Sequence, residues 1–248
     1  MERVLITGAA GRIGRMLRER LSGYELRLLD VEPVPGGIAA SVTDLEAMVE
    51  ACAGVDAVVH LGGISGEASW ERIRDTNIEG TYCVFEAARR AGVRRVVYAS
   101  SNHAVGFVPT APDLPDDLPP RPDTFYGVSK VLGEALGALY HDRHGMDVVC
   151  LRIGSCFDEP HDLRGLATWL SPNDCARLVE AALTCEEPGF RTVWGISANT
   201  RRVWSLEGGA AIGYHPVDDA EVYAAGLTAG PPEREEAGRR FVGGAFTL

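Results

Sequence analysis

Eleven residues near the start of the chain constrain its fold more than any other stretch. Val4-Leu5-Ile6-Thr7 is a short, largely β-branched run, and Gly8-Ala9-Ala10-Gly11 is a turn. From Arg12 onward apolar residues return at spacings of three and four, at Ile13, Met16, Leu17 and Leu21, with Gly14 inside the first turn. A strand that runs through glycines straight into a helix reaches its next parallel neighbour by a crossover, which makes βαβ the unit to look for along the rest of the chain.

That unit repeats. Short apolar runs at 4–7, 25–29, 38–41, 55–61, 94–100, 148–153 and 191–196 read as strands, and helical patterns fill the gaps at 12–21, 45–53, 70–91 and 125–144. Ser171-Pro172-Asn173-Asp174 supplies an N-cap, a proline in the first turn and an acid beside it, opening a helix to about Thr184. Alternation of this kind predicts an α/β fold, a doubly wound parallel sheet with helices on both faces. The expected organisation is a single domain over 1–248, with a dinucleotide-binding core at 1–153 and a small substrate-binding extension at 154–248. Residues 107–122 carry Pro109, Pro112, Pro115, Pro119, Pro120 and Pro122 and read as a loop passing over the site. Further on, 218–225 reads as a short helix, 228–240 as a polar connection and 241–248 as an apolar tail.

Composition narrows the partners. A chain of 248 residues that is 46% hydrophobic can bury one large core. Its net charge of −11 offers no basic stripe for nucleic acid or an anionic membrane, and no apolar run reaches the roughly 18 residues of a membrane span. The six cysteines show no Cys-x-x-Cys spacing, and the chain enters its first strand without an apolar leader, so a reducing cytoplasmic setting is expected. No metal site is expected: His141 and His144 stand i,i+3 without further ligands.

The glycine turn carries chemistry as well as fold. Gly8 permits the tight turn, Gly11 lets backbone approach a pyrophosphate and Gly14 lets the helix pack close to the sheet, while the helix N-terminus presents free N–H groups and a positive dipole end. Asp30, at the end of the second strand, can accept hydrogen bonds from an adenosine ribose and would repel a 2′-phosphate. No arginine or lysine follows it among Val31, Glu32 and Pro33, so the cofactor expected is NAD rather than NADP.

A second unit sits at Tyr126-Gly127-Val128-Ser129-Lys130. Of 24 lysines and arginines, Lys130 is the one lysine, placed one helical turn from a tyrosine. Arginine is a planar fork that stays charged, whereas an ammonium is a compact point charge. At about 4 Å and an effective dielectric of about 20, that charge favours a phenolate by about 4 kcal/mol, roughly three pK units, which would bring tyrosine into range as a base. Ser100 and Ser101 close the fifth strand at the carboxyl edge of the sheet, where a hydroxyl could hold the reacting oxygen.

Gly8-x-x-Gly11-x-x-Gly14, Ser101 and Tyr126-x-x-x-Lys130 together resemble the extended short-chain dehydrogenase/reductase superfamily, whose nucleotide-binding core is the Rossmann fold. Further blocks resemble the uronate dehydrogenase family within it: His60-Leu61-Gly62-Gly63-Ile64-Ser65, Ala99-Ser100-Ser101-Asn102-His103, Leu151-Arg152-Ile153-Gly154-Ser155-Cys156, Thr168-Trp169-Leu170-Ser171, Val193-Trp194-Gly195 and Gly243-Gly244-Ala245-Phe246. The resemblance implies oxidation of the C1 hydroxyl of a cyclic hexuronic acid to an aldarolactone, with Tyr126, Lys130 and Ser101 catalytic. It implies a cofactor site of Gly8, Gly11, Arg12, Ile13, Gly14, Asp30, Asp44, Leu61, Gly62, Asn77, Tyr126 and Lys130. For the substrate it implies Ser65, Ser101, Asn102, His103 and Ser155, with Arg164 on the carboxylate, and it implies a homo-oligomer built on the helices flanking the sheet. A nucleotide-sugar epimerase or dehydratase would share the tyrosine, lysine and cofactor turn, and a non-enzymatic cofactor sensor would share the turn.

Overall fold

The computed structural model describes residues 2–248. In chain order it runs β1 (Arg3–Thr7), α1 (Arg12–Arg20), β2 (Glu25–Asp30), β3 (Ile38–Ala39), α2 (Leu45–Cys52), β4 (Ala57–His60), α3 (Trp70–Ile73), α4 (Glu79–Arg90), β5 (Arg95–Ser101), α5 (Phe125–His144) and β6 (Asp147–Ile153). The remainder is β7 (Ser155–Cys156), α6 (Gly165–Thr168), β8 (Trp169–Leu170), α7 (Pro172–Thr184), β9 (Phe190–Gly195), α8 (Glu207–Ala211) and α9 (Pro232–Arg240). Seven strands pair in the order β3-β2-β1-β4-β5-β6-β9, every pair parallel. The order reverses between β1 and β4, so the crevice at their carboxyl ends is where a doubly wound sheet binds ligands.

Alternate side chains of each central strand feed two cores. Val4, Ile6, Val59, Val97 and Leu151 pack with residues of α1 and α7 on one face. Leu5, Val58, Val96, Tyr98 and Val148 pack with residues of α2, α4 and α5 on the other. Burial on both faces is why these strands read as continuous apolar runs instead of alternating ones. Helix α5 starts where Thr124 Oγ1 accepts the Gly127 amide at 2.9 Å and stops at Gly145, whose φ of 66° turns the chain out of the helix. Helix α7 starts as its sequence predicts, with Ser171 Oγ accepting the Asp174 amide at 2.9 Å.

Several expectations are corrected. The pattern at 70–91 is one helical path but contains a π-helical stretch, Arg74–Ile78, between α3 and α4. The strand expected at 38–41 pairs only at Ile38–Ala39. The segment 228–240, read as a connection, contains α9; acids in its first turn and Arg239 and Arg240 in its last suit the helix dipole, a signal that outweighs its low apolar content. The helix expected at 218–225 is the 3₁₀ turn Ala220–Gly226. No residue of the proline-rich loop, 107–122, lines the crevice. The loop runs along β6 and β9, where Thr192 Oγ1 and Arg152 donate to Asp116 O and Trp194 Nε1 donates to Leu114 O.

Candidate active site

A cleft of about 760 Å³ opens at the switch point between β1 and β4. Gly8 lines one end with φ 71°, and a Cβ there would lie 2.7 Å from Gly62 N. A Cβ on Gly14 would strike Gly8 O, so the segment after β4 closes on the turn only because Gly8 lacks a side chain, and α1 only because Gly14 does. Helix α1 begins at Gly11 with no side-chain cap and no acid in its first turn. An uncapped helix end facing a cleft suits a pyrophosphate. Asp30 stands beside it, its Oδ2 accepting from Ala10 N at 2.9 Å and its Oδ1 from Glu32 N at 3.0 Å. Arg12, Ile13, Leu61 and Gly62 also line the cleft, so these residues fit a dinucleotide.

Two residues expected at the cofactor stand outside the cleft lining. Asp44 caps α2, accepting the Ala47 amide at 3.1 Å. Asn77 is buried in the π-helical stretch, where its Oδ1 accepts Ile64 N at 2.7 Å and its Nδ2 donates to Ile64 O and Ser129 Oγ. Asn77 thus holds the loop that carries Ile64 and Ser65 to the cleft. The far end of the same loop is pinned by Glu67, whose carboxylate accepts the Phe125 and Tyr126 amides at 3.3 and 2.9 Å and so caps the helix bearing Tyr126.

At the centre, Tyr126, Lys130, Ser101, Asn102 and His103 meet on the cleft wall. The Lys130 ammonium donates to Ala99 O at 2.7 Å and lies 5.3 Å from the Tyr126 ring centre. Burial lowers its pKa to about 8, with Glu134 acting in the opposite direction. The Tyr126 phenol is pushed up to about 12, chiefly by burial, although the Ser101 hydroxyl pulls it down. The lowered phenol pKa expected from an ammonium about 4 Å away is therefore corrected. Desolvation opposes the phenolate and the ammonium is aimed at a carbonyl. The two serines also separate: Ser100 Oγ is committed to Glu134 at 2.6 Å, inside a buried ion pair of Glu134 with Arg152, leaving Ser101 for the cleft.

The substrate end is built by the last third of the chain. Ser155, beside Thr168 Oγ1 at 3.0 Å, lines the cleft with Ser65 and Arg164. Arg164 donates from one Nη to Val242 O at 2.6 Å and has no carboxylate within ion-pair range among the described residues. Burial lowers its pKa, against the pull of Asp162 and Asp123. Asn102 Nδ2 donates to the same carbonyl at 3.1 Å, and Phe246 packs 4.2 Å from the His103 ring. The tail beyond 240 therefore walls the site, a role for which its sequence showed only the block Gly243-Gly244-Ala245-Phe246.

Residues 4–187 match the NAD dependent epimerase/dehydratase family. A uronate dehydrogenase of Pseudomonas putida is 41% identical over 256 residues, covering 99% of this chain and 96% of the relative. The chain belongs to the uronate dehydrogenase family. The family likeness extends to shape: a tyrosine-to-alanine mutant of the Agrobacterium tumefaciens uronate dehydrogenase, complexed with NAD, superposes with a TM-score of 0.93 at 42% identity over 100% of this chain and 97% of that one. Likeness also reaches an NAD-dependent glucose-6-phosphate dehydrogenase of Haloferax volcanii, 39% identical over 88% of this chain and 94% of the relative.

Proposed function

We propose that the chain oxidises the C1 hydroxyl of a cyclic hexuronic acid, glucuronate or galacturonate, with NAD as acceptor and an aldarolactone as product. Arg164 carries this reading. A half-buried arginine at the substrate end of the cleft, with no carboxylate in ion-pair range among the described residues, is the counter-ion a sugar acid needs, and its planar fork can bind a carboxylate through two N–H groups.

Bound NAD supplies the hydride acceptor; the protein handles position and protons. The glycine turn and the N-terminus of α1 would hold the pyrophosphate, and Asp30 would accept from the adenosine ribose and exclude a 2′-phosphate. As the phenolate, which the positive nicotinamide ring of bound NAD would favour alongside Lys130 against the cost of burial, Tyr126 takes the proton from the C1 oxygen, to which Ser101 donates a hydrogen bond. With a pKa of about 8, Lys130 is mostly ammonium at pH 7 and stabilises that phenolate until the proton arrives. It would also hold the nicotinamide ribose. Ser65, Asn102, His103 and Ser155 orient the ring. Exposed Tyr82 on α4 and Phe125, Val128 and Leu139 on α5 support a homo-oligomer formed through those helices. Six free cysteines favour a cytoplasmic setting.

NAD reduction followed by absorbance against glucuronate, galacturonate, glucose, galactose, glucose 6-phosphate and a nucleotide sugar tests the reading. Uronates are expected to give by far the highest kcat/KM. Faster turnover of glucose 6-phosphate, whose anion Arg164 could also hold, or of a nucleotide sugar would overturn it.

A further inference from the structure

His103 does not stand alone in the cleft wall. Its Nδ1 lies 2.7 Å from Asp123 Oδ2, and the Asp123 side chain is fully buried. The other carboxylate oxygen accepts the Thr124 hydroxyl at 3.0 Å, and among the described residues Asp123 has no arginine or lysine partner. Backbone encloses this carboxylate: a Cβ on Gly106 or on Gly243 would overlap it, and the Gly243 amide donates to Gly106 O at 2.9 Å across it. The proline-rich loop leaves the strand end just after His103 and returns Asp123 beneath the same ring, tied by Arg121 N to Ala104 O at 3.0 Å. Tyr126 meets the imidazole edge-on at 5.8 Å between ring centres, and Phe246 packs on it at 4.2 Å.

This geometry determines which nitrogen carries the proton. An ionised carboxylate can only accept, so Nδ1 must donate to it, and the neutral ring then presents a bare Nε2. Nε2 has no partner within the described residues, and His103 lines the cleft beside Tyr126. We propose that Asp123 is a positioning residue for the reaction: it holds His103 as the Nδ1–H tautomer, so that Nε2 accepts a hydrogen bond from a ring hydroxyl of the sugar and orients C1 toward Tyr126. The inference rests on the sugar-oxidising reading above. It also gives the 107–122 loop a role, since that loop carries the carboxylate back under the ring.

A double-mutant cycle in the full-length protein tests it, with Asp123→Ala, His103→Ala and the pair compared for kcat/KM on glucuronate and for NAD affinity. Loss of ring orientation beside the reacting carbon is expected to lower kcat/KM on the order of 10- to 100-fold in Asp123→Ala. Little further loss is expected when Asp123→Ala is added to His103→Ala, and NAD affinity should change by less than about twofold in every variant. Nitrogen-15 spectra should show the His103 proton on Nδ1 in the native protein and shared between the two nitrogens in Asp123→Ala. Asp123→Asn fills the same cage but can donate as well as accept, so it serves the same cycle if the alanine variant does not fold. Equal losses in both His103 backgrounds, or an unchanged tautomer, would refute the positioning role. A native protein that turns over no uronate would instead refute the function on which it rests.

Discussion

Replacing Arg164 by methionine removes the guanidinium while keeping a flexible stem of similar length. One Nη of Arg164 is engaged by Val242 O, which leaves further N–H groups for the ligand. A hydrogen bond to a charged group contributes about 1.5–3 kcal/mol, so losing a two-point grip on a carboxylate should cost about 3–6 kcal/mol. At about 1.4 kcal/mol per tenfold, kcat/KM for glucuronate should fall roughly 10²- to 10⁴-fold. The substitution also strips a donor from Val242 O and loosens the tail, but that penalty falls equally on glucose, which lacks the carboxylate. The informative quantity is therefore the ratio of kcat/KM for glucuronate to that for glucose, measured in native and variant protein by NAD reduction. It is expected to collapse in Arg164→Met and to fall only about tenfold in Arg164→Lys, which keeps a point charge without the fork. An unchanged ratio, with both sugars losing alike, would show that Arg164 supports the tail and does not read the acid.

Three further predictions concern two buried titratable groups. Lys130→Arg should lower kcat at least about 100-fold despite the retained charge, because the ammonium occupies a pocket between Ala99 O and the Tyr98 and Tyr126 rings, 5.1 and 5.3 Å away. Lys130→Met should be equally inactive yet melt no lower than the native protein without cofactor. The drop in lysine pKa to about 8 corresponds to about 3 kcal/mol of destabilisation, against about 1 kcal/mol for the lost Ala99 hydrogen bond; a clearly lower melting temperature would contradict this. His60, buried between Thr7 and Thr81, is held neutral with its pKa lowered by burial to about 3, against 6.5 in the unfolded chain. Because the unfolded chain binds the proton first, His60 contributes stability above about pH 6.5 that is lost at about 1.4 kcal/mol per pH unit as pH falls toward 3. Urea midpoints at pH 7, 6, 5 and 4 should therefore show the advantage of native protein over His60→Gln shrinking with acid, and a gap independent of pH would reject the assignment.

How far the sequence reveals this molecule depends on the range of the contacts concerned. The strands and helices α1, α5 and α7 were legible because apolar period acts within a few residues, joined at α7 by the Ser171 cap. The glycine turn and the Tyr126–Lys130 pair were legible for the same reason. Where sequence reading went astray, a distant partner had intervened. The part Asn77 plays in anchoring the Ile64 loop was not legible, because its amide finds a backbone 13 residues away. The Tyr126 phenol is pushed up rather than down because i,i+4 spacing records proximity along a helix but neither burial nor the direction of the Lys130 ammonium. The tail is the extreme case: Asn102 and Arg164 both donate to Val242 O, the first across 140 residues. Every residue has such a carbonyl, so no side chain at 242 could have announced it. The polar groups that complete the substrate end are in part backbone brought into place by topology, and only the folded chain could show them.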